Sequence, residues 1–142
     1  MLRIAVVLIT LLLSACQSPK IINFDETLTN SSEVSHLDNT RWKLDVLLSR
    51  GVLDQAQMHI QFEKGMIFGF SGCNQFKGPY LIEKGTLIVD KVSTTRKLCS
   101  QTVNAFEDNF LYQIQSQPQI RFSASGAILL VNEQTISRFV KE

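Results

Sequence analysis

The sequence predicts an α+β fold, with a curved antiparallel sheet or incomplete β-barrel of about seven to eight short strands and one main helix at about residues 101–116. Two patterns of apolar residues predict this fold. Segments in which apolar and polar residues alternate occur both before residue 99 and after residue 118. A single stretch between them has the apolar period of an α-helix. Strands grouped in this way, with one helix among them, are typical of antiparallel sheets.

Composition limits the classes of protein to which the chain can belong. Its 142 residues, enough for one domain, are 44% apolar and 19% charged, and 14 basic against 13 acidic side chains give a net charge of +1. Nucleic-acid-binding proteins usually have a clear basic excess, so we expect no nucleic-acid partner. The chain has only two histidines and three cysteines, and we expect no metal and no other cofactor.

The first sixteen residues are typical of a bacterial lipoprotein signal. Met1-Leu2-Arg3 is a short cationic start, and the apolar run over residues 4–13 is shorter than the roughly 20 residues of a permanent membrane helix. Leu13-Ser14-Ala15-Cys16 resembles the lipobox, whose cysteine is acylated and becomes the new N-terminus. We therefore expect residues 1–15 to be a signal peptide and Cys16 to be lipidated. The alternative is an ordinary cleaved signal with a chance cysteine.

Residues 16–39 are predicted to be a lipid anchor and flexible tether, since Pro19 and the Asn30-Ser31-Ser32 cluster interrupt any apolar period. The three acyl chains of a mature bacterial lipoprotein would anchor the protein stably in a membrane. Gln17 follows the cysteine, where Asp would favour the inner membrane by resemblance to sorting in enteric-type bacteria. The expected location is therefore the outer membrane, with the protein facing the periplasm.

The folded domain is predicted over residues 40–142 and begins with strands. Apolar and polar residues alternate over 42–48, 58–62 and 66–70, and further strands are expected over 79–82 and 86–92. Glu63-Lys64-Gly65 is a turn, and we expect Met66, Phe68 and Phe70 to continue the apolar face of the strand before it.

One helix and three more strands complete the domain. Apolar residues at helical spacing begin at Val103 and end at Ile114, with Ser100 as the N-cap and Pro118 just beyond the helix. Strands are expected over 119–123, 128–132 and 135–140, and the helix is available to plug the barrel. The predicted core consists of Trp42, Ile60, Phe62, Phe68, Phe70, Phe106, Phe110, Leu129 and Phe139.

Two segments, residues 68–80 and 94–99, are unlike ordinary strands and turns. With Glu107 they resemble the META domain of HslJ-like heat-shock lipoproteins, which carries a Gly-Cys-Asn-x-Phe-x-Gly-x-Tyr block followed by Thr-[Arg/Lys]-x-x-Cys and a helix with an internal Glu. The resemblance implies a compact α+β fold and a bacterial envelope lipoprotein, sometimes induced by heat, without a settled activity. The matching positions are Gly72, Cys73, Asn74, Phe76, Gly78, Tyr80, Thr95, Arg96, Cys99 and Glu107.

We expect structural roles for most of these motif residues. Gly72 and Gly78 fit positions with positive φ or a close backbone approach. The Asn74 amide is suited to bond backbone groups of its loop. Phe76 and Tyr80 are expected to pack in the core and at its rim.

Arg96 and Glu107 either form an ion pair between the second motif and the helix or remain two solvated charges.

The two cysteines of the motifs are expected to form a disulfide. If Cys16 is acylated, Cys73 and Cys99 are the remaining thiols, and an oxidising periplasm favours their pairing. The alternative is two reduced cysteines buried as small apolar groups.

The sequence favours a non-enzymatic protein with no catalytic residues. A thiol enzyme would have to combine Cys73 or Cys99 with His59 or with His36, which lies in the tether. No Gly-rich phosphate loop or Ser-His-Asp order is present. We expect a binding or assembly module for an envelope protein, lipid or small ligand, attached to the membrane through its N-terminal lipid. The alternatives are a structural envelope-stress protein without a dedicated ligand and a thiol-dependent enzyme.

Lipidation at Cys16 is directly testable. The intact mass of membrane-extracted protein should show loss of residues 1–15 and addition of three acyl chains, of which palmitate would be typical. Cys16→Ser should leave an uncleaved or mislocalised precursor. A soluble mature protein with an unmodified N-terminus would contradict the prediction.

Overall fold

The computed structural model describes residues 37–51, 57–133 and 135–142. These residues form ten β-strands and one α-helix, which we number in chain order. The elements are β1 (Thr40–Leu47), β2 (Arg50–Gly51), β3 (His59–Glu63), β4 (Met66–Phe70), β5 (Gln75–Glu83), β6 (Thr86–Val89), β7 (Ser93–Thr94), α1 (Gln101–Gln115), β8 (Gln119–Phe122), β9 (Ile128–Asn132) and β10 (Thr135–Lys141).

Eight of the strands form a closed antiparallel barrel, in the order β1-β3-β4-β5-β6-β8-β9-β10, with β10 pairing back onto β1. The expected incomplete barrel is therefore corrected to a closed one. Closure follows because β1 bonds to β3 on one side and to β10 on the other, where Leu44 faces Phe139. The ring thus avoids the exposed edges of an open sheet. The short strands β2 and β7 lie outside the ring, on β1 and β5.

The pairing between β6 and β8 is the shortest of the ring. Thr86 and Gln119 are its one registered pair. Backbone bonds on either side extend the junction, from Leu87 N to Pro118 O and from Ile120 N to Gly85 O. The barrel is therefore closed here by three residues on each side rather than by long strands.

The β3–β4 hairpin reverses the predicted orientation of the apolar residues on β4. A two-residue turn at Lys64 and Gly65 places Glu63 opposite Met66 and Phe62 opposite Ile67. Residues paired directly across two strands share a face. Because Phe62 is buried in the barrel, its partner Ile67 also points inward. Phe68, one residue further on, therefore points outward.

The buried core otherwise follows the predicted pattern. Trp42, Ile60, Phe62, Phe110, Leu129 and Phe139 are buried, as the sequence predicts. Phe106 is half-buried and packs against the core. Phe68 and Phe70 are half-buried on the outer surface, so their assignment to the core was wrong.

The helix packs into the barrel through one face. The Ser100 hydroxyl caps its N-terminus by accepting a hydrogen bond from Val103 N at 3.4 Å. Phe110 makes edge contacts with Phe76 and Phe139, with ring centroids 5.7 and 6.0 Å apart. These contacts join the helix to two strands on different parts of the ring, so the buried face of α1 plugs the barrel while its opposite face stays exposed.

The folded domain begins before Thr40, where the predicted tether was expected to end. Leu37 is fully buried in the core, and Asp38 accepts a hydrogen bond from Lys64 N at 2.6 Å. The predicted signal peptide over residues 1–15, Cys16 and His36 lie outside the described residues. Within the described ranges, no helix has the length and apolar character needed to cross a membrane.

Phe110→Ala should destabilise the domain by about 3–5 kcal/mol, because it removes the ring that connects the helix to the barrel core. Phe68→Ala is the matched control, since it removes an aromatic ring from the outer surface and should cost clearly less. Urea unfolding measures both free energies. A loss below about 1 kcal/mol for Phe110→Ala would contradict the plugged barrel.

Candidate functional site

The two motif segments of the sequence meet at the helix. The loop 71–74 between β4 and β5 and the segment 95–99 between β7 and α1 both contact the side chain of Glu107 or of its partner Asn74. Glu107 lies in the second turn of α1, and only 9% of its surface is exposed.

The Glu107 carboxylate accepts hydrogen bonds on both oxygens. Ser71 Oγ lies 2.6 Å and Asn74 N 2.8 Å from Oε2, and Asn74 Nδ2 lies 2.8 Å from Oε1. The Ser71 hydroxyl also lies 2.8 Å from the Asn74 carbonyl oxygen, but it has a single proton and the carboxylate is the stronger acceptor. This buried charge is therefore held by donors from one tight loop.

These donors determine the direction in which the pKa of Glu107 shifts. Burial alone would raise the pKa, because it disfavours the charged form. Hydrogen bonds from the Ser71 and Asn74 side chains, and from the backbone N–H groups of Asn74 and Cys73, outweigh burial and lower the pKa below its ordinary value of 4.5. Glu107 is therefore ionised at neutral pH.

Asn74 links the carboxylate to the second motif. Its amide nitrogen donates to Glu107, while its Oδ1 accepts from Thr95 Oγ1 at 2.8 Å and from Lys97 N at 2.7 Å. The backbone group that this amide bonds, Lys97 N, therefore belongs to the second motif segment and not to the loop of Asn74 itself. Because Lys97 N is a donor only, the amide of Asn74 can take just one orientation.

A disulfide between Cys73 and Cys99 connects the same two segments covalently. The Cα atoms are 6.1 Å apart, and the bond spans 26 residues of sequence. Cys73 is buried and Cys99 is half-buried. In this structure neither cysteine presents a free thiol.

The two motif glycines allow close approaches around this network. Gly72 has φ +106°, and a Cβ there would lie 2.7 Å from Met58 Cε. A Cβ on Gly78 would lie 2.7 Å from the Lys91 carbonyl oxygen. The expected structural roles of both residues fit this geometry.

The remaining motif residues separate into core and surface. Phe76 is buried, and Tyr80 lies at the rim with its ring 4.9 Å from that of Phe62. Burial, and secondly the charge of Asp38, raise the pKa of Tyr80 above its ordinary value of 10.0. Arg96 is exposed and makes no ion pair with Glu107, whose oxygens face Ser71 and Asn74 instead.

The hydrogen bonds around Glu107 connect the helix to the two motif segments, which is a structural role. The polar groups around the carboxylate are bonded to each other, and a substrate could reach the carboxylate only by displacing them. Among the residues that the structure describes, no group of three His, Cys, Asp or Glu side chains is placed to hold a metal ion.

A second feature lies on the outside of the barrel, and we call it the outer groove. It has a volume of about 830 Å³, and its floor consists of Met66, Phe68 and Phe70 on β4. The walls come from the neighbouring strands β3, β5 and β7 and include Gln61, Gln75, Lys77, Ser93 and Thr94. A smaller cleft of about 480 Å³ adjoins it at His59 and Phe70 and reaches Lys43.

The sequence does not predict this groove, because a three-residue turn at Glu63-Lys64-Gly65 would place Phe68 and Phe70 in the core. The signal that could have found it is the length of the turn after Glu63. A turn of two residues, rather than three, moves Met66, Phe68 and Phe70 to the face opposite Phe62.

Glu107→Gln should destabilise the domain by about 1–3 kcal/mol at pH 7. Both carboxylate oxygens of Glu107 accept hydrogen bonds, so the NH₂ group of the glutamine side chain would face a donor of Ser71 or Asn74. Asn74 cannot rotate to compensate, since Lys97 N fixes its oxygen. Urea unfolding gives the change, with the exposed neighbour Asp108→Asn as the control, expected within about 0.5 kcal/mol of wild type.

The pH dependence of this difference follows from the lowered pKa of Glu107. The carboxylate stabilises the folded state above its unfolded pKa, ordinarily 4.5, and this contribution is lost as the pH falls through the lower folded pKa. The gap between wild type and Glu107→Gln should therefore narrow below about pH 4.5. A gap that stays constant or widens there would contradict the proposed hydrogen bonding.

Loss of the disulfide should cost about 3–4 kcal/mol on the loop-entropy account, because the bond closes a 26-residue loop. Cys73→Ser/Cys99→Ser is the variant, and the melting temperature and urea midpoint are the measurements. Peptide mapping without reductant should recover the two cysteines in one linked fragment. Finding both thiols free in protein matured in the periplasm would contradict the bond.

Comparisons with known proteins agree with this fold. The META domain family matches residues 35–142. A solved structure, "NMR structure of the protein from Burkholderia xenovorans", is similar with a TM-score of 0.66 and 21% identity, covering 88% of this chain and 99% of its own. A second NMR structure has a TM-score of 0.62 and 22% identity, covering 74% of this chain and 91% of its own. No curated protein matches. The chain belongs to the META domain family.

Proposed function

We propose that this META domain protein is an HslJ-like lipoprotein of the bacterial envelope and acts as a non-enzymatic binding module. Its lipid on Cys16 would hold it at the outer membrane, facing the periplasm, where it would take part in the response to stress. Leu13-Ser14-Ala15-Cys16 and Gln17 support the location, and the family supports an envelope-related role.

The observation that carries the binding role is the outer groove. Met66, Phe68 and Phe70 have no packing role inside the barrel, yet they form a continuous apolar row on its outer surface. These half-buried side chains lie in a concave groove with polar walls, which is the form that ligand sites usually take. The groove therefore favours a dedicated ligand over a purely structural role.

The state of the motif residues supports a non-enzymatic role. Cys73 and Cys99 are bonded to each other, which removes the nucleophile that a thiol enzyme would need. Glu107 accepts hydrogen bonds on both oxygens and holds the fold together. Most of the residues that resemble the family thus build the scaffold, and Phe76 and Thr95 also line the groove.

Site-specific photo-crosslinking in cells tests the binding role. A benzoylphenylalanine in place of Phe68 should give discrete crosslinked species, because this ring forms the floor of the groove. The control is the same substitution at Tyr112, an exposed aromatic residue on α1 that does not line the groove. No adduct at position 68, or equal adducts at both positions, would contradict the proposal and favour a structural protein without a ligand.

A further inference from the structure

We propose that the outer groove binds an extended, apolar polypeptide segment that carries an acidic side chain beside Lys77. This inference rests on the proposed binding function and specifies the chemistry of the ligand.

The spacing of the floor fits an extended chain. Met66, Phe68 and Phe70 are every second residue of β4, so their side chains follow each other at intervals of roughly 6.5 Å. An extended peptide repeats its side chains on one face at the same interval. A segment that runs along β4 would therefore place alternate apolar side chains between successive floor residues.

The walls offer hydrogen-bonding groups that a peptide backbone needs. Gln61 and Lys77 lie on the strands either side of Phe68, Gln75 lies opposite Phe70, and Ser93 lies opposite Lys77. The side chains of Gln61, Gln75, Ser93 and Thr94 make no hydrogen bond within the part of the chain that the structure describes. A bound peptide has N–H and C=O groups that require partners, whereas an acyl chain would leave these amides and hydroxyls unused.

The charges around the groove favour an acidic ligand. Arg41 pairs with Glu142, and Lys64 lies 3.3 Å from Glu63. Lys77 is exposed and pairs with no carboxylate among the described residues. The same holds for Lys43 in the adjoining cleft. An acidic side chain of the ligand would therefore find an unpaired ammonium group next to the apolar floor.

The closed barrel determines how such a segment binds. β4 is already bonded to β3 and β5, so a ligand cannot join the sheet as a further strand. Recognition must come from side chains on the outer face. We therefore expect dependence on the spacing of apolar residues and on one charge, with tolerance of sequence at the other positions.

Binding of synthetic peptides to residues 16–142, expressed without the signal and with Cys16→Ser, tests the inference by fluorescence anisotropy. The first probe is a labelled seven-residue peptide with Leu at alternate positions and a central Glu. The second replaces that Glu by Lys, and the third has the composition of the first with its Leu residues contiguous. At 50 mM salt the first should bind at least twofold tighter than the second, as expected for one exposed charge pair, and the difference should shrink at 0.5 M salt.

Variants of the protein make the test specific. Phe68→Ser should weaken binding of the first peptide about tenfold or more, while Tyr112→Ser should leave it unchanged. Lys77→Glu should reverse the preference, so that the Lys peptide binds more tightly. Because Lys77 is exposed, this charge reversal decides the question even if Phe68→Ser fails to fold.

Four outcomes would overturn the inference. The first two are no binding of any peptide and equal affinity for the peptides with alternate and with contiguous Leu residues. The other two are a Lys77→Glu variant that still prefers the Glu peptide, and displacement of the labelled peptide by palmitate at a lower concentration than by the unlabelled peptide. A crosslink from position 68 to residues 17–36 of the same chain would assign the groove to the tether and also overturn it. If cells still give discrete crosslinks to another molecule at position 68 while no peptide binds, the proposed binding function stands and the peptide ligand is wrong.

Discussion

The buried carboxylate of Glu107 is the interaction on which the arrangement of this domain depends. A charge placed inside a protein is tolerated only when donors replace the water that it loses. Here Ser71 and Asn74 provide side-chain donors, and the backbone of the same loop provides the rest. The helix can therefore sit in the barrel only when this loop has its native shape.

The same requirement extends to the second motif. The side-chain nitrogen of Asn74 donates to Glu107, and its side-chain oxygen accepts from Thr95 and Lys97. The loop before β5 therefore positions the loop after β7. The disulfide between Cys73 and Cys99 makes this connection covalent. β5 and β7, which these loops flank, also line the outer groove. A scaffold built from the family motif thus supports the outer groove, and the motif residues Phe76 and Thr95 contribute to its lining.

The sequence predicts the local elements well and the long-range ones poorly. The helix begins after Ser100 as expected, because its apolar period and cap are local signals. Barrel closure depends on β1 pairing with β10, about a hundred residues away, and no local pattern encodes that pairing. The prediction for Phe68 was wrong because the alternation of apolar residues does not say which face of β4 is buried. The two-residue turn after Glu63 decides this, since it places Ile67 and not Phe68 on the face of Phe62. Neither alternative for Glu107, an ion pair with Arg96 or a solvated charge, matches the structure, because the carboxylate is buried and its hydrogen bonds come from Ser71 and Asn74.

Native-state hydrogen exchange at the amides of Asn74 and Lys97 tests most directly whether the Glu107 network holds the two motif loops in place. Both N–H groups are bonded within the network, Asn74 to the carboxylate and Lys97 to the Asn74 side chain. If the network holds both loops, both amides exchange only through global unfolding, with the same free energy as the amides of the core strands. Rapid exchange of both amides through local opening, while the amides of β3 and β4 remain protected, would contradict it.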